Sequence, residues 1–162
     1  MRARTSLRDK DAKLILADFV SRLQLGEDLF PSKPRVEAVQ LRDGELILID
    51  GKACLLRRRG QVLPTLKFDA AIQRLPKIVI DMGAVTHICN GADVMVRGIS
   101  SVDREFKKGA LVVIVDETHG KPLAVGEALE DSTSITAMGK GRAISNLHFV
   151  GDDAWEAMKA LA

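Results

Sequence analysis

Asp81-Met82-Gly83-Ala84, Asn90-Gly91-Ala92-Asp93-Val94 and Gly139-Lys140-Gly141-Arg142 are three glycine-centred stretches in the second half of the chain, and their reading decides the fold. Upstream of the first, the β-branched run 77–81 predicts a buried strand. A short helix over 84–89 follows, ending at Asn90-Gly91, which suits a left-handed C-cap. The strand expected next, 94–97, ends at Gly98, where a missing side chain lets another backbone or a ligand come close. Lys108-Gly109 turns the chain into the apolar run 110–115, and His119-Gly120-Lys121 turns it back into 123–128. After Gly139 to Arg142, residues 143–150 supply a final strand. Short strands with turn signals at regular intervals predict a closed β-barrel.

The first half reads as helix, meander and short helix. Leu7, Leu14, Ile15, Phe19, Val20 and Leu23 recur at three- and four-residue spacing, giving an amphipathic helix over 7–23 with Ser6 as its N-cap. Pro31-Ser32-Lys33-Pro34 breaks that pattern. Runs 35–41, 45–49 and 52–58 are β-prone and are separated by Asp43-Gly44 and Asp50-Gly51, dipeptides that supply the positive φ of tight hairpins. Three antiparallel strands follow, interrupted by Leu63-Pro64-Thr65-Leu66, with a short helix over 68–75 closed by Pro76.

Composition narrows the function classes. With 46% hydrophobic and 28% charged residues over 162 positions, the chain has the make-up of one compact globular domain or two small ones. Five Phe, one Trp and no Tyr leave little for a broad base-stacking platform. No apolar stretch is long enough to span a bilayer and no signal-type core follows the start, so the expected location is cytoplasmic, with Cys54 and Cys89 reduced. Residues 1–75 hold 15 Lys+Arg against 10 Asp+Glu, whereas 76–162 hold 9 against 12. A polyanion bound by the second half must therefore meet a local patch and backbone amides rather than a favourable overall field. The run Arg57-Arg58-Arg59 is equally compatible with phosphate contact and with a solvated hairpin end.

Taken together, residues 77–153 resemble the PUA family, through Asp81/Gly83-Ala84, Gly91-Ala92-Asp93-Val94, Gly98, Lys108-Gly109, Val125-Gly126 and Gly139-Lys140-Gly141. Stretch 45–51 and Leu63-Pro64-Thr65-Leu66 resemble the pre-PUA domain of archaeal relatives of the translation re-initiation factor malignant T-cell amplified sequence and of ligatin. The resemblance implies an α+β chain. An α/β pre-PUA domain with a small antiparallel sheet occupies 1–75, and a PUA-like pseudo-barrel of mixed β-strands with short helices occupies 76–162. It also implies binding of structured RNA in translation, with the tRNA acceptor region or ribosomal RNA as ligand and the small ribosomal subunit or a translation factor as partner. Mapped by motif, the RNA surface is Gly83, Ala84, Asn90, Gly91, Ala92, Arg97, Gly98, Leu147 and His148. Lys140 and Arg142 add local positive charge beside main-chain N–H groups that glycine leaves open to phosphate.

Other chemistry finds little support in the residues. His87 and Cys89 lie two apart on a helix and face different ways, without the repeated pairs of a zinc site, so no metal or other cofactor is expected. Gly141 stands where a phosphate loop needs Ser or Thr, and Ser134 where it needs its first Gly. His119 beside Glu117 reads as a solvated turn histidine. A catalytic domain does not fit into 75 preceding residues, so a non-enzymatic protein is expected. The competing roles are a protein-interaction scaffold and an accessory RNA-binding subunit for an RNA-modifying enzyme.

Overall fold

A computed structural model describes residues 3–23 and 29–161. The chain divides into two compact units, residues 1–73 with 153–162, and residues 74–152.

In the first unit, β1 (Arg4–Ser6), β2 (Val36–Gln40), β3 (Glu45–Ile49), β4 (Lys52–Arg58) and β5 (Gln61–Pro64) form an antiparallel sheet in that order. Asp50 and Gly51, at φ 49° and 83°, make the expected hairpin between β3 and β4. A second hairpin was not foreseen. Arg59 and Gly60, at φ 53° and 74°, pair Arg58 with Gln61 and add β5, so Leu63 and Pro64 end a strand rather than interrupt the sheet. Pro64, lacking an N–H, is tolerated because β5 is an edge strand. Thr65 continues past it, its N–H donating to Cys54 at 2.9 Å and its hydroxyl to the Ala53 carbonyl at 2.7 Å.

Helix α1 (Asp9–Leu23) begins later than predicted. Ser6 is not its cap, because it is drawn into β1 opposite Glu37. The buried face of α1 delivers Ala12, Ile15 and Phe19 to a core with Ile47, Ile49 and Leu55. Phe19, Phe30 and Phe68 pack with ring centroids about 6 Å apart (5.8–6.2 Å). A short α2 (Asp69–Ile72) supplies Ala71 to the same core.

The second unit begins with β6 (Lys77–Ile80) and α3 (Met82–Ile88), whose N-cap Asp81 accepts the Ala84 N–H at 2.9 Å. The expected strand over 94–97 is split. Val94–Met95 is β7, Val96–Gly98 is a 3-10 turn that carries Arg97 and Gly98, and Ile99–Val102 is β8. Next come β9 (Leu111–Asp116), β10 (Pro122–Ala128), α4 (Ser132–Ala137) and β11 (Arg142–Phe149). The sheet order is β7-β11-β10-β9-β6-β8, antiparallel except for the parallel β6–β9 pair. Its two edge strands, β7 and β8, are joined by only three residues, so the sheet curls into a nearly closed pseudo-barrel around Ile78, Ile80, Ile114, Ala124 and Ile144.

Helix α5 (Asp153–Leu161) groups with the first unit, although the sequence places it after the barrel. Arg58 is 3% exposed and explains this. Its Nε donates to the Asp43 carbonyl at 2.8 Å, and Nη2 pairs with Asp153 at the start of α5. The Asp43 N–H also donates to Asp153 at 3.0 Å, and Lys67 lies 5.4 Å above the Trp155 ring. Arg57 pairs with Glu45, which leaves Arg59 as the exposed member of the three-arginine run. Cys54 and Cys89 are free, half-buried and in separate units, and burial pushes both thiols up. None of the described helices is long and apolar enough to cross a membrane.

Removing the α5 carboxylate takes a charged partner from a buried guanidinium. Asp153→Ala should cost about 2–3 kcal/mol in chemical denaturation, whereas Arg59→Ala should change stability by less than about 0.5 kcal/mol. A second test concerns Asp116 at the end of β9, which is 5% exposed. Its carboxylate accepts main-chain N–H groups from His119 at 2.5 Å, Lys121 at 3.1 Å and Thr118 at 3.0 Å. The His119 bond, with help from the other two and against the cost of burial, holds its pKa below the ordinary carboxylate value. A lowered folded pKa gives stability that is present above the unfolded value, about 4, and is lost as pH falls through the folded one. Asp116→Asn should therefore lower Tm at pH 7 and flatten the acid limb of the Tm-versus-pH curve below about pH 4.

Candidate nucleic-acid interface

Two backbone contacts bring the candidate residues together. The Asp81 N–H donates to the Gly98 carbonyl at 2.9 Å, bringing the 3-10 turn beside the start of α3. The Val96 N–H donates to the Gly141 carbonyl at 2.8 Å, which sets the turn bearing Arg97 next to the turn bearing Lys140. Gly98 packs closely on α3, since a Cβ there would lie 3.1 Å from the Ala84 Cβ, tighter than an ordinary contact. Gly91 is required by conformation, at φ 93°, and its open side is filled by the Phe149 ring.

Between these elements runs a groove of about 530 Å³ lined by Ala84, His87, Ile88, Ala92, Asp93, Val94, Met95, Gly98 and Arg142. Its walls are largely apolar and its rim is charged. Arg142 lies opposite Met95 in the β7–β11 ladder, so the guanidinium and the thioether stand on the same outward face, while Val94 and Ile144 pair inward. Met95, at 47% exposed, is one of three large apolar side chains that the described surface leaves open. The Asp93 carboxylate meets Arg142 Nη1 at 3.3 Å.

Of the residues singled out from sequence, Ala84, Ala92, Gly98 and Arg142 line this groove. Gly83 and Asn90 are exposed at the two ends of α3, and Arg97 and Lys140 are exposed on the adjoining turns. Gly91 is half-buried behind them. Leu147 and His148 do not belong to the exposed surface. They are 4% and 0% exposed, and the His148 Nδ1 is engaged by Asp152 Oδ2 at 2.9 Å. Their side chains serve the interior, and a ligand passing these two positions would find only main chain.

Sequence reasoning missed His87, Asp93 and Met95 as groove residues. For Met95 the signal was available, because it alternates with inward-facing Val94 on a strand. Asn146 was also missed. It is 5% exposed, and its side-chain amide donates to the carbonyls of Ile88 at 3.1 Å and Ala92 at 2.9 Å, tying the end of α3 to β11. His87 is exposed on the groove wall and Cys89 half-buried away from that lining; among the described residues no group of three or more His, Cys, Asp or Glu could hold a metal. His119 is exposed on its turn.

Comparison with known proteins agrees with this architecture. Residues 76–150 match the PUA domain. The uncharacterized protein MJ1432 of Methanocaldococcus jannaschii is 37% identical over 158 residues, 96% of each chain. Translation machinery-associated protein 20 of Saccharomyces cerevisiae is 28% identical over 80% of this chain and 76% of its own. The Malignant T-cell-amplified sequence 1 homolog of Dictyostelium discoideum is 26% identical over 94% of this chain and 87% of its own. The crystal structure of the hypothetical protein PH0734.1 from Pyrococcus horikoshii superposes with a TM-score of 0.80 at 31% identity, covering 96% of this chain and 99% of that one. With a matched PUA domain over its second unit and a relative of the same span above 30% identity, the chain belongs to the PUA-domain family.

Proposed function

We propose that this protein binds structured RNA, without chemistry of its own, in the service of translation, and that the groove between α3, β7 and β11 is where it does so. The observation that carries this reading is the convergence of Arg97, Lys140 and Arg142. The Val96–Gly141 hydrogen bond sets the turns that bear Arg97 and Lys140 side by side, and the Met95–Arg142 register puts Arg142 on the wall of the adjoining groove. Residues 74–152 hold 9 Lys+Arg against 10 Asp+Glu, so nothing in the net charge of the unit accounts for a basic cluster there. Ala84, Ala92 and Gly98 leave room for a sugar-phosphate backbone to approach, and three exposed cations on adjoining turns and strand neutralise phosphates without reading bases. Shape and backbone recognition of an A-form helix end, such as the tRNA acceptor region or a ribosomal RNA helix, is the mode this surface suits. The translation setting draws on the family relative named as translation machinery-associated. A non-catalytic role is in keeping with Asp116, whose carboxylate is committed to three backbone N–H groups rather than to orienting His119.

Affinity for tRNA measured against salt should give a straight log–log plot of negative slope, losing about 0.7–0.9 in slope for each phosphate contact removed. Arg97→Glu combined with Arg142→Glu should weaken binding roughly tenfold or more and shallow that slope. Lys10→Glu with Lys13→Glu, exposed on α1, should change it far less. Tm should be nearly the same for both pairs. A flat salt plot for the unaltered protein, or equal losses from the two pairs, overturns the reading.

A further inference from the structure

The groove contains a carboxylate that an anion site has no evident use for. Asp93 lies on its wall, 27% exposed, and cannot swing away, because its Oδ1 accepts the Asn146 N–H at 2.9 Å. Asn146 holds the same loop through the Ile88 and Ala92 carbonyls, so the position of Asp93 is fixed from both sides. Its other oxygen, Oδ2, stands 3.3 Å from Arg142 Nη1. A phosphate that approaches Arg142 must share or take that guanidinium, and in either case it arrives next to a negative oxygen. For a bare phosphate this is a penalty. It becomes favourable only if the same nucleotide also brings a hydrogen-bond donor to Asp93 Oδ2.

The donor that every ribonucleotide carries beside its phosphate, whatever its base, is the 2′-hydroxyl. Apart from His87, the side chains of the remaining groove wall, Ala84, Ile88, Ala92, Val94 and Met95, are apolar and give little with which to read a base edge. We infer that Asp93 and Arg142 form a ribose-reading pair, in which Arg142 takes a backbone phosphate and Asp93 Oδ2 accepts the 2′-hydroxyl of the adjoining sugar. The pair excludes deoxyribose at that position, where the carboxylate would repel phosphate with nothing in return. Arg142 supplies the charge and Asp93 the selectivity, so the two make separable contributions. This inference rests on the RNA-binding reading above and specifies how the same groove selects its ligand.

The test uses the full chain and a hairpin RNA with the sequence of a tRNA acceptor stem, made unmodified and with single 2′-deoxy substitutions at each position in turn. In fluorescence anisotropy, one or two substituted positions should weaken binding of the unaltered protein by about tenfold, the scale of a lost hydrogen bond to a charged group. Asp93→Asn keeps an oxygen for the Asn146 N–H, so its Tm should hold. It should bind the unmodified hairpin as well as or better than the parent, and the sensitive positions should lose most of their effect. Arg142→Gln should weaken all hairpins while the same positions remain sensitive. If deoxy sensitivity is absent from the parent, persists in Asp93→Asn, or follows base identity rather than the sugar, the ribose-reading role is overturned while RNA binding stands. If no hairpin binds at low salt, both readings fall.

Discussion

The second unit depends on one short connection. Residues Val96–Gly98 must carry the chain from β7, at one edge of the sheet, to β8, at the other. Three residues span at most about 10 Å, so the two edges have to come together and the sheet has to curl. That closure makes the connection pass α3 closely, where a Cβ at position 98 would crowd the Ala84 Cβ at 3.1 Å and where the Gly98 carbonyl receives the Asp81 N–H. The groove is a by-product of the same constraint. It lies where α3, the β7 edge and the start of β11 are held close by the connection but are not filled by large side chains.

How the charges are deployed follows from burial. Arg58 and Arg142 are chemically alike and each faces an aspartate, but Arg58 is 3% exposed and Arg142 61%. At Arg58 the ion pair is structural, since water cannot replace Asp153 and the pair fixes α5 to the first unit. At Arg142 the pair is weak and solvent-screened, and the guanidinium can change partners at little cost. The three-arginine run of the first unit, the most conspicuous basic feature of the sequence, is thus largely spent on the fold. Arg97, Lys140 and Arg142 of the second unit stand exposed instead.

What could be read from the chain alone was what local conformation dictates. Positive φ at Gly51 and Gly91 and the β-branched runs of β6 and β9 have short-range causes, and they placed those strands and the C-terminal end of α3, whereas the Asp81 cap, which starts the helix at Met82 instead of the expected 84, was not read. Strand β5 escaped because its hairpin puts Arg59, not an Asn or Gly, at positive φ. The allegiance of α5 escaped because Arg58 and Asp153, 95 positions apart, decide it. Leu147 and His148 were placed on the RNA surface because family likeness follows a strand without saying which side chains of that strand face inward. Asp152, which engages His148, lies in a turn whose pattern predicts no such contact.

Asp93 illustrates a different kind of illegibility. In the sequence it is one letter of a glycine-centred turn, and acidic residues in turns ordinarily bond their own backbone. Here the carboxylate instead reaches β11, where the Asn146 N–H holds one oxygen and Arg142 the other. Register creates this arrangement: β7 meets only the first residues of β11, Arg142 and Ile144, so the ladder stops short of Asn146 and leaves its N–H to be satisfied by a side chain. An acidic group is therefore built into a basic groove because an edge strand is too short. Its negative charge follows from the backbone accounting, and any ligand that uses Arg142 must come to terms with it.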